Sequence, residues 1–257
     1  MKNSNQTASV QKKPTSLDDL HKSYDDLYGS GWLGKHHNIE QQALLIESAG
    51  VKDGLHLDVA CGMGYSLDIA TQRGAHSIGL ELSNVAIHKG LEENPQRVIV
   101  QGDGEHLPWP ENTFDYITCL GSLEHFINPD AGAAEIGRVL KPGGTAAILL
   151  PNSHNLLAIY NVYKTGGILP EQQEYERFAT RIEWEDFLNR NGLTVVEVRK
   201  YNVGFARAFR KGREVFWFFY NVFYRLFKDF WIPVNLSYNL IFVCKKRTPQ
   251  NQDSSNG

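Results

Sequence analysis

Short apolar runs alternate with segments of helical periodicity along this chain from about residue 54 onward. The apolar runs predict strands at Leu55–Val59, Ser77–Glu81, Val98–Gln101, Phe114–Leu120 and Thr145–Leu150. Helical periodicity is found between them, near 64–73, 83–93 and 130–140. Strands that alternate with helices of this length form βαβ units. The pattern therefore predicts an α/β fold in which a doubly wound parallel sheet has helices on both faces.

The second half of the chain extends the same sheet. Lys141-Pro142-Gly143-Gly144 is predicted to break the third of these helices before the fifth strand. A further helix at about 182–191 leads to a strand at Thr194–Val198, and 237–244 has the alternation of a final strand. These elements bring the predicted sheet to seven strands.

Two segments interrupt the alternation. Residues 151–180 form a long insertion, and residues 204–236 are predicted to contain an aromatic helix before the last strand. Ten aromatic residues lie between Phe216 and Trp231, together with a mostly basic polar stripe at helical spacing. Three interpretations of residues 207–231 stay open: a lid or core helix over the active site, an interfacial helix on a membrane, and a dimer surface.

Composition narrows the classes of protein to consider. The chain has 257 residues, of which 42% are hydrophobic and 21% charged, as is typical of a soluble globular domain. Its net charge of −3 gives no electrostatic case for nucleic-acid binding. The cysteines, Cys61, Cys119 and Cys244, lack metal-ligand spacing, so we expect no metal site and a reducing, cytoplasmic setting.

A glycine turn carries the strongest chemical signal. Asp58 ends an apolar run and is followed by Gly62 and Gly64, which predicts a strand that turns sharply into a helix and binds a nucleoside cofactor. Glu81, at the end of the next strand, is placed to hold a ribose through its hydroxyls. A dinucleotide fingerprint requires a third glycine where this chain has Leu67, and Asp58 would repel a pyrophosphate. A turn that merely packs helix on strand is the alternative.

The order of the motifs resembles that of class I S-adenosylmethionine-dependent methyltransferases. The glycine loop is followed by Gln101-Gly102-Asp103-Gly104, by Phe114-Asp115-Tyr116-Ile117 with Leu123-Glu124-His125, and by 138–144. The resemblance covers about residues 50–150, and more loosely the chain to 245, and implies a Rossmann-like methyltransferase fold whose last strand runs antiparallel. It further implies a single domain over 16–246, with a cofactor-binding core at 50–150 and acceptor-side insertions at 151–180 and 204–236. The polar composition of 1–15 and 247–257 predicts disordered ends.

The resemblance also implies residue roles. The loop around Asp58 would wrap the methionine part of S-adenosyl-L-methionine, Glu81 would bind the ribose, and Asp103 and Gly104 would contact the adenine. Tyr24, Tyr28 and Trp32 would belong to an N-terminal cover over the cofactor; simple packing of a peripheral helix is the alternative. The cofactor-binding set implied in this way is Asp58, Ala60, Cys61, Gly62, Gly64, Glu81, Leu82, Asp103, Gly104 and Leu120, with Tyr24.

Three residues are candidates for the acceptor side. His125, at the end of the fourth strand, is a candidate general base for a hydroxyl acceptor, although positioning of the cofactor or loop is an alternative role. Asn152 and His154 follow the fifth strand, where ligands bind in open α/β sheets; an ordinary polar turn is the alternative.

The function expected from these residues is methyl transfer from S-adenosylmethionine to a small-molecule or lipid-linked acceptor, at oxygen. Peripheral contact with the inner face of a membrane through 207–231 is part of that expectation. One alternative is a cofactor-binding, membrane-associated accessory protein without catalysis. Another is an NAD-dependent oxidoreductase, which the incomplete glycine pattern disfavours.

Overall fold

The computed structural model describes residues 16–31, 33, 38–167, 177–202 and 231–247. Helices precede and flank the central strands. The helices are α1 (Leu17–Gly29), α2 (Ile39–Ser48), α3 (Tyr65–Gln72), α4 (Asn84–Glu93), α5 (Pro129–Val139), α6 (Leu156–Thr165) and α7 (Arg181–Arg190). The strands are β1 (Gly54–Val59), β2 (Ala75–Glu81), β3 (Val98–Gln101), β4 (Phe114–Leu120), β5 (Leu140–Pro151), β6 (Leu193–Tyr201) and β7 (Asn239–Lys246).

The strands form one seven-stranded sheet in the order β3-β2-β1-β4-β5-β7-β6. Strands β1 to β5 pair in parallel, whereas β7 runs antiparallel to both β5 and β6. This confirms the predicted mostly parallel, doubly wound sheet with an antiparallel last strand. The strand order reverses between β1 and β4, so a crevice is expected beyond their carboxyl ends, which is where ligands bind in such sheets.

Strand β1 divides its side chains between the two faces of the sheet. Leu57 and Val59 are buried in a core that also contains residues of α5 and α7. His56 and Asp58 alternate with them and therefore face the side covered by α3. A second apolar cluster, with members on α2, α3 and β5, fills that side. The predicted helices on both faces are thereby confirmed.

The start of β5 differs from the sequence-based expectation. Lys141-Pro142-Gly143-Gly144, which was predicted to lie between a helix and the fifth strand, is part of β5. That strand begins at Leu140 rather than at Thr145. The strand accommodates these residues because its pairing with β4 shifts register between Phe114 and Tyr116, and because Gly143 adopts a positive φ of 83°. Residues 141–144 therefore form an irregular part of a strand and not a separate turn.

The two predicted insertions are described only in part. Residues 151–180 contain α6, and the predicted aromatic helix at 207–231 lies outside the described residues except for Trp231. Within the portions of the chain that the structure describes, we find no helix with the length and apolarity needed to cross a membrane.

Candidate active site

The loop after β1 has a left-handed backbone at three alternate positions. Ala60, Gly62 and Gly64 have φ angles of 58°, 57° and 85°. The Cys61 N–H donates to the Leu80 carbonyl at 3.0 Å, and the Gly64 N–H donates to the Cys61 carbonyl at 3.0 Å. The loop is therefore held against β2 just before α3 begins, and its glycines supply the conformations that other residues rarely adopt.

Glu81 joins this loop to the end of β2. Its Oε2 accepts from the Gly62 N–H and its Oε1 accepts from the Ser83 N–H, both at 2.8 Å. The side chain is only 5% exposed. Burial raises the pKa of Glu81, while the backbone hydrogen bonds act in the opposite direction. The carboxylate is thus fixed at the sheet edge with its orientation set by two backbone donors.

Asp58 lies beneath the same loop. It is 3% exposed, its Oδ1 accepts from Thr118 Oγ1 at 2.5 Å, and its Oδ2 accepts from the Ser66 hydroxyl. Burial raises the pKa of Asp58 to about 6, although the two hydroxyl groups stabilise the ionised form.

Asp103 and Gly104 form the wall beyond β3. Asp103 Oδ1 accepts from the Glu105 N–H at 2.9 Å, and its Oδ2 is 2.8 Å from His106 Nδ1. This hydrogen bond with Asp103 raises the pKa of His106. A Cβ on Gly104 would lie 2.4 Å from Phe126 Cζ, so the backbone fits here only without a side chain.

A cleft with a cavity volume of about 60 Å³ opens at the switch point of the sheet. The predicted site residues that line it are Tyr24, Ala60, Glu81, Leu82, Asp103, Gly104 and His125. Tyr28, predicted as part of the N-terminal cover, also lines it. Further lining residues that sequence reasoning did not assign are Leu20, Leu80, Gly102, Glu105, Ser122 and Phe126. The described lining carries carboxylates at three positions and Lys or Arg at none, so it suits a cationic ligand.

Helix α1 covers the cleft. Leu20, Tyr24 and Tyr28 are four residues apart and line the cavity from one helical face. Tyr24 and Tyr28 were both predicted to belong to the cover, whereas Trp32, the third predicted member, lies outside the described residues. The Tyr28 hydroxyl lies 2.5 Å from the place where a Cβ on Gly62 would be. Burial raises the pKa of Tyr28, and nearby Glu81 adds to the effect. The phenol therefore lies over the glycine loop in its neutral form.

The cover is attached to the start of α4. Asp25 Oδ1 accepts from Ser83 Oγ at 2.5 Å and from the Val85 N–H at 3.2 Å. Lys89 Nζ donates to the Tyr28 carbonyl at 2.6 Å. Because Ser83 also donates its N–H to Glu81, a short chain of hydrogen bonds connects α1 with the acid at the end of β2.

His125 faces the cleft from a 3₁₀ turn, Leu123–His125, and is 2% exposed. Its Nε2 is 3.9 Å from Glu124 Oε1. Arg177 fixes this turn from a distant part of the chain: its Nη1 donates to the carbonyls of Glu124 at 3.0 Å and Phe126 at 2.5 Å. No local pattern around Arg177 signals that contact.

The remaining predicted residues are not among those that line the cleft. Cys61, Gly62 and Gly64 lie in the loop beside it, and Leu120 is half-buried at the end of β4. Asn152 is buried and donates to the carbonyls of Asn235 and Ser237, both at 2.9 Å. His154 is exposed and bonds Ser153 at 2.8 Å. The contacts of Asn152 and His154 thus belong to turns outside this cavity, and their acceptor roles stay predictions.

Comparison with known proteins places the chain in a family. A family model described as a methyltransferase domain matches residues 57–148. A sterol 24-C-methyltransferase from Schizosaccharomyces pombe is 30% identical over 48% of this chain and 38% of that protein. A demethylmenaquinone methyltransferase from Renibacterium salmoninarum is 29% identical over 55% of this chain and 61% of its own length. The chain therefore spans less than two thirds of either of these relatives.

A fuller match is a ubiquinone biosynthesis O-methyltransferase from Marinobacter nauticus, which is 31% identical over 62% of this chain and 72% of that protein. Among solved structures, a TehB-like SAM-dependent methyltransferase from Corynebacterium glutamicum has a TM-score of 0.58 at 18% identity, covering 88% of this chain and 100% of that one. The cyclase SpnF has a TM-score of 0.62 at 18% identity, covering 92% and 98%. These structural likenesses show the fold alone. With its methyltransferase domain, its relatives and its fold, the chain belongs to the class I S-adenosylmethionine-dependent methyltransferase family.

Proposed function

We propose that this protein transfers a methyl group from S-adenosyl-L-methionine to a small-molecule or lipid-linked acceptor, at an oxygen atom. The observation that carries the proposal is the placement of Glu81, which is buried at the end of β2 between the Gly62 and Ser83 N–H groups and faces the cleft. An acid at this point of an open α/β sheet suits the hydroxyls of a ribose.

The residues around the cleft fit the cofactor of this family. Glu81 would hold the ribose hydroxyls, and Asp103 with the Gly104 backbone would contact the adenine. The bare backbone at Gly104, where a Cβ would clash with Phe126, lets a flat ring approach closely. The carboxylates of the lining and the buried Asp58 suit the positive charges of the methionine end. When bound, S-adenosylmethionine supplies an electrophilic methyl group on a cationic sulfur.

The chain's own contribution to the chemistry would be to position the acceptor and accept its proton. An unprotonated imidazole nitrogen of His125 would accept the proton of an acceptor hydroxyl, since this side chain faces the cleft and is shielded from water. Tyr24 and Tyr28 would exclude water from above, as the covering face of α1. Alignment of the reacting atoms is the largest rate effect available to such a displacement.

The acceptor class is supported by the relatives and by the surface of α6. Relatives are named for sterol and quinone methylation, and such acceptors are lipid-like. Large apolar side chains of α6 are exposed, among them Ile159, Tyr160 and, at 82%, Tyr163. Trp231, which ends the aromatic segment, is 68% exposed. We therefore extend the proposal to peripheral contact with the inner face of a membrane, through 207–231 and α6.

The cofactor is tested by thermal shift and calorimetry with S-adenosylmethionine, S-adenosylhomocysteine and NAD. The first two should stabilise the protein and NAD should not, because binding to the native state raises the melting temperature. Glu81→Ala and Asp103→Ala should each weaken binding at least tenfold, roughly the loss of one charge-assisted hydrogen bond. Glu92→Ala, at an exposed position of α4, is the matched control. Wild-type affinity in both site variants would refute the assigned roles.

Catalysis is tested with a labelled methyl donor and a panel of hydroxylated quinones, sterols and phenols. His125→Gln should lower kcat at least a hundredfold while the affinity for S-adenosylhomocysteine stays within about threefold, because general-base catalysis contributes roughly that much. Cofactor binding without transfer to any acceptor, in the presence of vesicles, would favour the accessory-protein alternative.

Membrane contact is tested by co-sedimentation with vesicles of phosphatidylglycerol and phosphatidylcholine. Full-length protein should sediment with the vesicles, and both deletion of 207–231 and the double change Tyr163→Ser with Trp231→Ser should reduce that fraction. Val98→Ser removes an exposed apolar side chain from β3 and is the control. Equal recovery of all forms in the supernatant would remove the membrane part of the proposal.

A further inference from the structure

A continuous row of polar side chains crosses the buried face of the sheet under α3. His56 on β1 is 0% exposed; its Nδ1 is 2.7 Å from Ser77 Oγ on β2 and its Nε2 is 2.9 Å from Thr118 Oγ1 on β4. The same Thr118 oxygen is 2.5 Å from Asp58 Oδ1. Ser66 of α3 completes the row on the other carboxylate oxygen. The row therefore ends at the residue that precedes the glycine loop.

The direction of each hydrogen follows from the chemistry of the groups. Ionised Asp58 only accepts, so the Thr118 hydroxyl donates to Oδ1 and its oxygen is left to accept from His56. His56 must then carry its proton on Nε2, and its Nδ1 accepts from the Ser77 hydroxyl. Every group of the row is satisfied by a neutral imidazole and a charged carboxylate. Burial lowers the pKa of His56 to about 3, which agrees with the neutral form.

Burying these polar side chains inside a sheet costs free energy, so we expect the row to have a role in the neighbouring loop. The alternate residues of β1, Leu57 and Val59, are apolar and fully buried, and an aliphatic side chain at position 56 would avoid the burial of polar groups. Instead, the row delivers a fixed donor to one oxygen of Asp58 and Ser66 delivers another. A polar row of this kind keeps a carboxylate both ionised and fixed in orientation.

We propose that His56 is a positioning residue for the cofactor: through Thr118 it holds Asp58 ionised and oriented beneath the loop that receives the methionine end of S-adenosylmethionine. This assignment rests on the proposed function. Without the Nε2–H donor, the Thr118 hydroxyl loses its polarising partner, and Asp58 gains a proton closer to neutral pH. The positive amino group of the methionine end then loses its counter-charge.

The other titratable groups around Asp58 do not lower its pKa. Glu81 from β2, Cys61 from the loop, Cys119 from β4 and Tyr28 from α1 all interact electrostatically with Asp58. Each of them is neutral or negative, and their interaction with Asp58 raises the pKa of each. The hydroxyls of Ser66 and Thr118 are the groups that lower the pKa of Asp58. The support of Thr118 by His56 should therefore be visible in a pH profile.

The test measures affinity for S-adenosylmethionine and for adenosine by calorimetry between pH 5.5 and 8.5. In His56→Leu we expect affinity for S-adenosylmethionine at pH 7 to fall about tenfold, with the acid limb of the profile moved to higher pH. Adenosine affinity should change less than threefold, because adenosine lacks the methionine end. His56→Gln, whose amide N–H can donate to Thr118, should restore most of the affinity. His76→Leu makes the same change at an exposed position of β2 and is the control.

If His56 had a merely structural role, His56→Leu would weaken the binding of S-adenosylmethionine and of adenosine to the same extent. That result, or an unchanged pH profile in His56→Leu, would overturn the proposal. If His56→Leu does not fold, Thr118→Val against Thr118→Ser gives the same comparison. Failure of the wild-type protein to bind S-adenosylmethionine at any pH would instead refute the proposed function. The two failures are thus distinguishable.

Discussion

At the scale of single residues, Ala60 is the most strained position of the cofactor loop. It has a φ of 58°, in the left-handed region, where a Cβ costs about 1–2 kcal/mol. We therefore expect Ala60→Gly to raise the free energy of unfolding by about 1 kcal/mol, once the greater flexibility of glycine in the unfolded chain is allowed for. Urea denaturation monitored by fluorescence measures the change.

Ala43→Gly is the matched control for that substitution. Ala43 lies within α2, where glycine costs about 1 kcal/mol relative to alanine, so the same chemical change should have the opposite sign. Destabilisation of similar size by both substitutions would show that the loop does not hold Ala60 in a left-handed conformation.

Local sequence was enough to single out Glu81, which follows an apolar run, and the family resemblance singled out Asp103. The structure brings both residues to one cleft, and their roles toward the cofactor stay predictions. His56 and Arg177 were missed because their contacts join parts of the chain far apart in sequence. A histidine inside an apolar strand pattern was the one available signal for His56, and a pairing with Thr118 cannot be deduced from spacing alone.

At the scale of elements, the attachment of α1 to α4 controls the cover of the cleft. Asp25 accepts from Ser83 and Val85 at the start of α4, where the helix dipole also favours a carboxylate. Asp25→Ala should leave the helical propensity of α1 intact yet increase hydrogen exchange of residues 17–29 about tenfold. Cofactor affinity should also fall in this variant, because Tyr24 and Tyr28 are held less firmly over the cleft. Hydrogen-exchange mass spectrometry and calorimetry measure the two effects.

Asp26→Ala tests whether the effect is specific to that contact. Asp26 is the next residue of the same helix and its side chain is exposed, so exchange in α1 should stay within about twofold of wild type. Equal acceleration in the two variants would mean that loss of charge from α1, rather than the contact with α4, loosens the cover.

Element boundaries show why pattern reading succeeded for most strands and failed at β5. Strands β3 and β4 begin and end as predicted, because their apolar runs are bounded by polar residues and turns. Lys141-Pro142-Gly143-Gly144 has the composition of a turn, yet it continues a strand whose partner shifts register to match it. That accommodation depends on β4, which the local composition cannot report.

At the scale of the whole molecule, the proposed cofactor side and the proposed acceptor side lie on either side of the point between β1 and β4 where the strand order reverses. Strands β1 to β3 and their loops supply the acids and glycines of the proposed cofactor side, and the family model ends at residue 148 within β5. The segments after β5, with the exposed apolar face of α6, form the proposed acceptor side. This division explains why the cofactor class followed from the sequence, whereas the acceptor is proposed from relatives and surface chemistry.

The buried row at His56 also makes stability depend on pH. In the folded protein the pKa of His56 is lowered from 6.5 to about 3, so the unfolded chain binds a proton that the native state refuses. The stabilisation is fully present above pH 6.5 and is lost as the pH falls, by about 2 kcal/mol between pH 6.5 and pH 5. Asp58 has the opposite sign, because its pKa is raised from 3.8 to about 6 and protonation favours the native state.

His56→Leu removes the first of these contributions and, because it raises the pKa of Asp58 further, strengthens the second. Between pH 6.5 and pH 5, the variant should therefore lose at least about 2 kcal/mol less stability than wild type, as measured by urea denaturation at the two pH values. His76→Leu should follow the wild-type curve within about 0.5 kcal/mol, since it changes only an exposed side chain at the surface of β2. Parallel curves for His56→Leu and wild type would mean that the buried imidazole takes up a proton in the native state. In that case Nδ1 would also carry a proton and could not accept from the Ser77 hydroxyl, as the neutral row requires.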